Sequence, residues 1–435
     1  MWLDKPTAII QARMGSTRLP GKSMKLLLGK PVLWHVVNRA SKAELIDGVI
    51  VATTVNSEDD IIAEFCENND ISVFRGSEND VLDRYYQCAK EYGIKDIVRI
   101  TADCPLHDPT VIDLIIGEYL KGNYDYVANT IEYTFPDGLD VEVFSFGALE
   151  EAWKKAELPS EREHVTPYIR KSDNFKKKNV NSTKKYPPYR LTLDYPEDYQ
   201  FIRRIYEGIG KEEFYIAEII KFLEKNPELL KINQHLKINK GYAKSLEADA
   251  RYNMERIKSG RQNITVNKGS FYLRELKEED ASQEYCNWLN DPEVNKFLET
   301  KKTTIEELKQ YIKEKRENPD CLFLGIFLKD TNKHIGNIKL EPVDFENKKA
   351  TLGILIGDKN YWGRGICTEA VKLLVDYVFE NLNLEKVDLG VISENKAAIN
   401  CYLKAGFRIK KIEQRAIKYD NRFYDKVIMD IEKQA

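Results

Sequence analysis

The sequence lacks the cysteine spacing, the long apolar runs and the charge excess that mark several classes of protein. Its seven cysteines are scattered, with no CxxC pair and an odd total, which argues against a disulfide framework and against a zinc site. No run of about 18 apolar residues occurs, and the start shows no secretory leader pattern. The formal net charge of −3 gives no general attraction to nucleic acid or membrane. We therefore expect a cytoplasmic protein with small-molecule partners, and a homodimer remains open.

The length of 435 residues predicts two domains. Residues 1–230 alternate short apolar runs with amphipathic segments, which indicates a largely parallel sheet with helices on both faces. Residues 231–268 are polar and carry no strand pattern, so we interpret them as a linker, helical at 242–258. An alternative is an arm that packs against the first domain or a second subunit. Residues 269–435 restart the pattern as an independent α+β domain.

The apolar periodicity predicts the individual elements. In the first domain it predicts strands at 7–11, 48–53, 71–75, 97–101, 124–128, 139–144 and 190–193, and helices at 32–42, 58–68, 81–92, 109–121, 146–156 and 196–207. In the second it predicts strands at 270–275, 321–329, 334–342, 351–356, 386–391, 407–419 and 422–431, and helices at 282–290, 304–317, 368–381 and 396–405.

A glycine-bearing loop with three cations follows the first predicted strand, in the stretch IIQARMGSTRLPGK at 9–22. Gly15 and Gly21 allow backbone shapes closed to other residues, and Arg13, Arg18 and Lys22 bring positive charge to one place. Open α/β sheets bind ligands at the carboxyl ends of their strands, where this loop lies. The loop is therefore expected to bind a triphosphate, the alternative being a solvated basic turn.

Two aspartates end later predicted strands of the same domain. Asp103 stands in RITADCPL, and Asp194 stands in LTLDYPEDY before a helix that begins at proline. Two carboxylates near a polyphosphate indicate Mg²⁺, which binds one or two carboxylates and phosphate oxygens. Each aspartate could instead cap the helix that follows it.

Six ordered motifs in residues 6–225 resemble the spore-coat-polysaccharide type of cytidylyltransferase, which is related to the enzymes that make CMP-activated sialic-type and Kdo sugars. They are QARMGSTRLPGK, RGSENDVLDRYY, RITADCPL, DGLDVEVF, SEREHVTPYI and LTLDYPEDY. The resemblance implies a Rossmann-like, GT-A-like α/β domain that converts CTP and a sugar acid to a CMP-sugar and pyrophosphate.

The resemblance also implies roles for particular residues. Arg18 and Lys22 would stabilise the charge of the reacting phosphates, and Asp103 and Asp194 would bind Mg²⁺. The remaining assignments are nucleotide contacts by Gln11, Ala12, Arg13, Asp80 and Arg84, and a sugar pocket shaped by Asp140, Glu142, Arg162, Glu163 and His164. His164 has an alternative role as a hydrogen-bonded helix residue.

The second domain carries the loop NYWGRG before a predicted helix, and ENKAAINCYLKAGF at 394–407. Glycines before a helix let backbone amides face an anion. Together the two segments resemble the GCN5-related N-acetyltransferases (GNAT), although Asn360 stands where that family has Arg or Gln. The resemblance implies an α+β GNAT fold and acetyl-CoA as cosubstrate.

Its implied site has a pyrophosphate cradle, a catalytic acid and an acceptor side. Tyr402 would protonate the departing thiolate, its alternative role being packing, and Glu341 could act as the base. The other assignments are Gly363, Arg364, Gly365 and Ile366 at the pyrophosphate, Asn395 at the CoA arm, and Trp288, Asn290 and Lys296 at the acceptor.

The two motif sets in one chain predict a bifunctional enzyme of nine-carbon sugar-acid synthesis, of the pseudaminic or legionaminic type. One domain would N-acetylate an amino-sugar intermediate, and the other would activate the finished acid with CTP. Two alternatives keep the cytidylyltransferase and make the second domain either a protein acetyltransferase or a non-catalytic acetyl-CoA-binding module.

Overall fold

The computed structural model describes residues 5–236, 240–265, 269–298, 302–419 and 422–434. The chain divides into two compact units, Met1–Ala243 and Lys244–Ala435. Parts of the predicted linker, residues 237–239 and 266–268, lie outside the described residues. Within the described ranges, no helix is long and apolar enough to span a membrane.

The first unit is an α/β sheet covered by helices. Its strands are β1 (Thr7–Gln11), β2 (Leu26–Leu27), β3 (Lys30–Pro31), β4 (Gly48–Thr54), β5 (Ser72–Gly76), β6 (Asp96–Thr101), β7 (Tyr126–Ala128), β8 (Glu142–Ser145) and β9 (Lys177–Asn179). Its helices are α1 (Val32–Ala40), α2 (Asp60–Glu67), α3 (Val81–Glu91), α4 (Pro109–Lys121), α5 (Phe146–Lys155), α6 (Pro159–His164), α7 (Pro167–Lys171), α8 (Pro196–Ile209) and α9 (Ile216–Lys225).

The main sheet has the strand order β5-β4-β1-β6-β8-β7-β9. Strands β5, β4, β1 and β6 are mutually parallel, and β8 runs antiparallel to β6. Successive side chains of β1 enter the cores on opposite faces, because Ile9 packs in one cluster and Ile10 in the other. This explains why the strand is apolar throughout and why helices cover both faces.

The predicted parallel strands and their helices are confirmed to within about two residues, the usual uncertainty of element ends. The predicted strand at 190–193 is wrong. Only an isolated bridge joins Asp137 to Arg190, and Leu193 donates its backbone N–H to the carbonyl of Asp103. The hydrogen bonds of this segment go to separate loops, so no ladder forms.

The second unit is built on an eight-stranded sheet. Helix α10 (Lys240–Lys258) begins in the last residues of the first unit, and its later part, including Met254 and Ile257, packs in the core of the second. The strands are β10 (Ile264–Thr265), β11 (Phe271–Glu275), β12 (Leu322–Leu328), β13 (His334–Asp344), β14 (Lys349–Ile356), β15 (Lys386–Ile392), β16 (Arg408–Tyr419) and β17 (Arg422–Glu432). The helices are α11 (Gln283–Asn290), α12 (Ile305–Glu317), α13 (Ile366–Asn381) and α14 (Lys396–Lys404).

The strands of this sheet lie in the order β10-β11-β12-β13-β14-β15-β17-β16. Neighbouring strands are antiparallel, except that β14 and β15 are parallel to each other. The linker prediction is wrong at β10, which adds a short edge strand to β11. Strands β14 and β15 pair in parallel only from Lys349 to Thr351. Beyond that point the two strands share no ladder pairs, and this part of the sheet opens beside a cleft.

Candidate active sites

The loop after β1 is closed by its own backbone. Gly21 has φ +67°, in the left-handed region that glycine enters without strain, and its N–H donates to the carbonyl of Met14 at 3.1 Å. The fully buried Asp59 accepts the N–H of Met14 at 2.6 Å. A carboxylate from the segment after β4 therefore anchors the loop. The sequence pattern did not reveal this role of Asp59, which falls inside the predicted helix at 58–68.

Lys22 lies at the centre of the polar cluster beyond β1. Its Nζ donates to Asp103 Oδ2 at 2.8 Å, to Asp194 Oδ1 at 3.0 Å and to the Leu193 carbonyl at 3.0 Å. Arg18 also donates to Asp194 Oδ1, at 2.7 Å. Burial opposes both charges of the Lys22–Asp103 pair, but their attraction prevails. It raises the pKa of Lys22 and lowers the pKa of Asp103 from their ordinary values.

Arg190 holds Asp194 from the other side. Its guanidinium is buried and pairs with Asp198 at 2.9 Å, with Asp194 at 3.3 Å and with Asp137 at 3.4 Å. Asp198 also accepts the backbone N–H groups of Asp194 and Tyr195 at 3.0 Å. This network fixes the direction of the Asp194 carboxylate. Sequence reasoning missed Arg190 because its partners are recognisable only after folding.

The fit of Mg²⁺ can be judged from these donors. Two carboxylate oxygens and one carbonyl oxygen converge on a single cation, the ammonium of Lys22. The described residues hold no group of three or more acidic, histidine or cysteine side chains arranged for a metal. The donors therefore fit an ion that binds through Asp103 and Asp194 and takes its remaining ligands from substrate and water.

Glu142 is a buried carboxylate held by several neighbouring side chains. It pairs with Arg99 and accepts the hydroxyls of Tyr126 and, at 2.8 Å, Thr166. Burial opposes its charge, but Arg99 prevails and the pKa of Glu142 is lowered. Arg99 also donates to Gln11 Oε1 at 3.2 Å, which joins this network to the end of β1.

Asp140 and Asp137 lie in an excess of negative charge. Burial, with the charges of Asp137 and Glu142, raises the pKa of Asp140 to about 8. Burial, opposed by Arg190, raises the pKa of Asp137 to about 6. A carboxylate with such a pKa ionises readily when a cation arrives, and the expected role of Asp140 in shaping the sugar pocket stays a prediction.

Arg162, Asp80 and Arg84 are joined to the start of α3 by hydrogen bonds. Arg162 donates to Asp80 Oδ2, including a bond of 3.0 Å from Nε, and to the Trp153 carbonyl. Asp80 also caps α3 by accepting the N–H of Asp83. Arg84 is almost fully buried and donates to the Ser77 carbonyl at 2.7 Å. These contacts give the three residues structural roles, and their expected contacts with nucleotide and sugar stay predictions.

The remaining expected residues differ in exposure. Arg13 is exposed at the loop, whereas Ala12 is buried and offers only its backbone. His164, at the end of α6, is half-buried, and Glu163 is exposed with its carboxylate 3.9 Å from the His164 ring. Burial lowers the pKa of His164, which favours the neutral ring.

Arg170 on α7 is a further cation near His164 and Glu142 that the sequence pattern did not reveal. Burial opposes its charge, but Tyr126, Glu142, Tyr242 and Tyr133 together raise its pKa. The half-buried guanidinium therefore keeps its charge next to His164 and Glu142.

The second unit contains a cleft of 1750 Å³, lined by the parted ends of β14 and β15 and by the first turns of α13 and α14. Gly363 and Gly365 have φ +72° and +81°, and among the described residues nothing lies within 4 Å of a Cβ built on either. Both glycines and Ile366 line the cleft, so the start of α13 is open to an anion. Arg364 instead lies exposed over the Tyr361 ring at 5.3 Å.

Tyr402 and Asn395 reach the same cleft from α14. Burial raises the pKa of Tyr402 to about 12, so the phenol keeps its proton near neutral pH. Asn395 caps α14 by accepting the N–H of Ala398 at 3.2 Å. The position of Tyr402 is therefore compatible with both of its expected roles, as a proton donor and as a packing residue. The position of Asn395 is compatible with its expected contact with the CoA arm.

Cys367 of α13 and Cys401 of α14 form a disulfide beside Tyr402. This one pair departs from the expectation of no disulfides, and the other five cysteines are free. The helix packing that brings the two sulfurs together joins residues 34 apart in sequence, so spacing alone gave no sign of it.

Three residues expected on the acceptor side, Glu341, Trp288 and Asn290, make other contacts in the structure. Glu341 is absent from the described residues that line the cleft, and Lys315 and Lys339 each donate to it at 2.7 Å. Burial opposes its charge, but these lysines lower the pKa of Glu341, which makes it a poor base. Trp288 is 7% exposed and packs in the core against His334. Asn290 bonds the backbone of Thr303.

Comparison with known proteins assigns a family to each of the two units. The Cytidylyltransferase family profile matches residues 7–232, and the Acetyltransferase (GNAT) domain profile matches residues 270–408. The spore coat polysaccharide biosynthesis protein SpsF of Bacillus subtilis is 33% identical over 231 residues, covering 51% of this chain and 94% of that protein. The 3-deoxy-manno-octulosonate cytidylyltransferase 2 of Hydrogenovibrio crunogenus is 35% identical over 124 residues, covering 28% of this chain and 49% of that enzyme.

A solved cytidylyltransferase from Leptospira borgpetersenii is 36% identical, with a TM-score of 0.51, and covers 54% of this chain and 98% of its own. The fold and the sites thus define a nucleotidyltransferase unit followed by an acyltransferase unit. The chain belongs to the cytidylyltransferase family, and its second unit is a GNAT acetyltransferase domain.

Proposed function

We propose that the first unit transfers CMP from CTP to a sugar acid and releases pyrophosphate. The observation that carries this proposal is the convergence of Arg18 and Lys22 on Asp103 and Asp194. Cations opposite acids suit a triphosphate and its metal, and the further cation Arg170, whose pKa is raised, suits an acid acceptor. The names of two similar proteins, which refer to a polysaccharide and to a sugar acid, support the same substrate class.

The chemistry is an in-line displacement at the α-phosphorus. A hydroxyl oxygen of the sugar acid forms the new P–O bond, the bond to the bridging oxygen of pyrophosphate breaks, and the hydroxyl proton passes to solvent. Lys22 leaves its two aspartates and pairs with phosphate oxygens, while Arg18 steadies the leaving pyrophosphate. When bound through Asp103 and Asp194, Mg²⁺ supplies further charge neutralisation. Throughout the reaction, Arg190 holds the Asp194 carboxylate in its orientation.

Pyrophosphate release tests this activity. The full chain is incubated with CTP, Mg²⁺ and a panel of eight- and nine-carbon sugar acids, with neutral sugars as controls. Pyrophosphate that appears only with an acid supports the proposal. Pyrophosphate release with neutral sugars alone contradicts the proposal. So does the absence of release with every acid and every neutral sugar tested.

We further propose that the second unit N-acetylates an amino sugar of the same pathway, leading to a pseudaminic- or legionaminic-type acid. Gly363 and Gly365 would bind the pyrophosphate of acetyl-CoA, and Tyr402 would protonate the CoA thiolate as it leaves. Lys296, at the acceptor end, lines the same cleft.

Free thiol released from acetyl-CoA is measured with amino sugars and with peptides. Release with peptides alone would favour a protein acetyltransferase, and acetyl-CoA binding without thiol release would favour a non-catalytic module.

A further inference from the structure

The first residues of α10 extend the cytidylyltransferase unit beyond its family profile. The profile ends at residue 232, but the compact unit continues to Ala243. Within it, the Tyr242 ring lies edge-on to His164, with ring centroids 5.2 Å apart and planes at 68°. Tyr242 is half-buried, so this contact removes part of a side chain of the linker segment from water.

Gly241 lies against the other side of the same site. A Cβ built on Gly241 would lie 3.6 Å and 3.7 Å from the two terminal nitrogens of Arg18. Arg18 is the cation that bonds Asp194. Tyr242 also lies close enough to Arg170 to help raise the pKa of its guanidinium. Gly241 therefore lies beside Arg18, and the next residue, Tyr242, lies beside His164 and Arg170.

We infer that Gly241 and Tyr242 form one wall of the acceptor pocket, and that the Tyr242 ring is a specificity residue for the sugar acid. A phenol ring offers an apolar face to the C–H surface of a sugar and a hydroxyl to its polar edge. The identity of the acceptor in this inference rests on the proposed cytidylyl transfer. The contact between Tyr242 and His164 is independent of that proposal.

The kinetic test uses full-length variants. Tyr242→Ala is expected to raise KM for the sugar acid about tenfold, the effect of losing one aromatic contact of about 1.4 kcal/mol, while KM for CTP changes less than about twofold. Tyr242→Phe should keep most of the affinity. Tyr252→Ala is the matched control, because Tyr252 lies on the same helix beside Arg256. An unchanged acid KM in Tyr242→Ala, or an equal rise for CTP, overturns the inference.

A second measurement needs no substrate. Diethyl pyrocarbonate modifies accessible neutral histidine, and peptide mass spectrometry reports the rate at His164. Tyr242→Ala should speed modification of His164, and Tyr252→Ala should not. An unchanged rate in Tyr242→Ala overturns the contact. If no acid supports pyrophosphate release, the acceptor role falls with the proposed function even where the His164 rate confirms the contact, so the two failures are distinguishable.

Discussion

Replacing Lys22 with methionine tests how the nucleotide site is held before substrate arrives. Methionine keeps the length of the side chain and removes the ammonium that joins Asp103 to Asp194. Breaking a buried ion pair leaves uncompensated charge and costs about 3–5 kcal/mol. The Lys22 side chain is 14% exposed, so we expect the lower end, about 3 kcal/mol.

The pH dependence follows from the shifted pKa values. The lowered pKa of Asp103 contributes stability above the ordinary aspartate pKa, and this contribution is lost as the pH falls towards the folded value. The raised pKa of Lys22 contributes stability that is lost only as the pH rises above the ordinary lysine value. The deficit of Lys22→Met should therefore be constant between roughly pH 5 and 10 and shrink below about pH 4.

Hydrogen-exchange mass spectrometry provides the measurement, because amides of β1 and β6 report opening of the first unit. Strands β11 to β13 serve as an internal reference. Lys25→Met is the matched control, since Lys25 lies over the Tyr199 ring at 5.6 Å in the same part of the chain. Equal protection of β1 in Lys22→Met and the parent protein would refute the reasoning.

Magnesium adds a second arm to this experiment. Without the ammonium, the oxygens of Asp103, Asp194 and Leu193 are open to another cation. Mg²⁺ at about ten times its dissociation constant should restore about 1.4 kcal/mol to Lys22→Met and less to the parent protein. Adding Asp103→Asn should abolish this recovery, and a recovery that survives Asp103→Asn would place the ion elsewhere.

Three further predictions concern single ionisable groups. Glu275 is 2% exposed, and burial raises its pKa to about 8, so Glu275→Gln should stabilise the second unit by about 3 kcal/mol at pH 7 in urea unfolding. This gain in the free energy of unfolding should vanish below about pH 4.5. By contrast, Glu341→Gln removes a paired carboxylate and should destabilise the second unit. Tyr402→Phe should lower kcat for acetyl transfer about 10- to 100-fold without changing acetyl-CoA affinity in calorimetry; equal kcat would leave Tyr402 as a packing residue. The proposed mechanism gives Asp140 no part in proton transfer, so the rate of CMP transfer should have the same pH profile in Asp140→Asn as in the parent protein; a rise through about pH 8 that Asp140→Asn abolishes would contradict this.

Local patterns predicted most of the fold because they reflect local physical chemistry. The apolar run through Ile9 and Ile10 identified a strand buried on both faces, and the periodicity at 109–121 matched α4 residue for residue. The predicted segment 190–193 failed, although it is equally apolar. Its hydrogen-bond partners are single loop residues, which no local pattern reveals.

The proximity of Lys22, Asp103 and Asp194 was predictable from motifs near the ends of predicted strands, although the segment before Asp194 forms no strand in the structure. The roles of other residues were not predictable where a partner lies far along the chain. Arg162 was expected in the sugar pocket, and Asp80, 82 residues earlier, pairs with it at the start of α3. Glu341 was expected to act as a base, but its charge is stabilised by Lys315 of α12. Long-range ion pairs decide such roles, and they exist only in the folded chain.

Phosphorus NMR of the full chain with CTP, Mg²⁺ and a sugar acid observes the proposed transfer of CMP itself. The CTP signals should be replaced by those of pyrophosphate and of a phosphodiester linking CMP to the sugar. Lys22→Met should slow this conversion. Signals of CDP and inorganic phosphate, or no conversion with any acid, would contradict cytidylyl transfer.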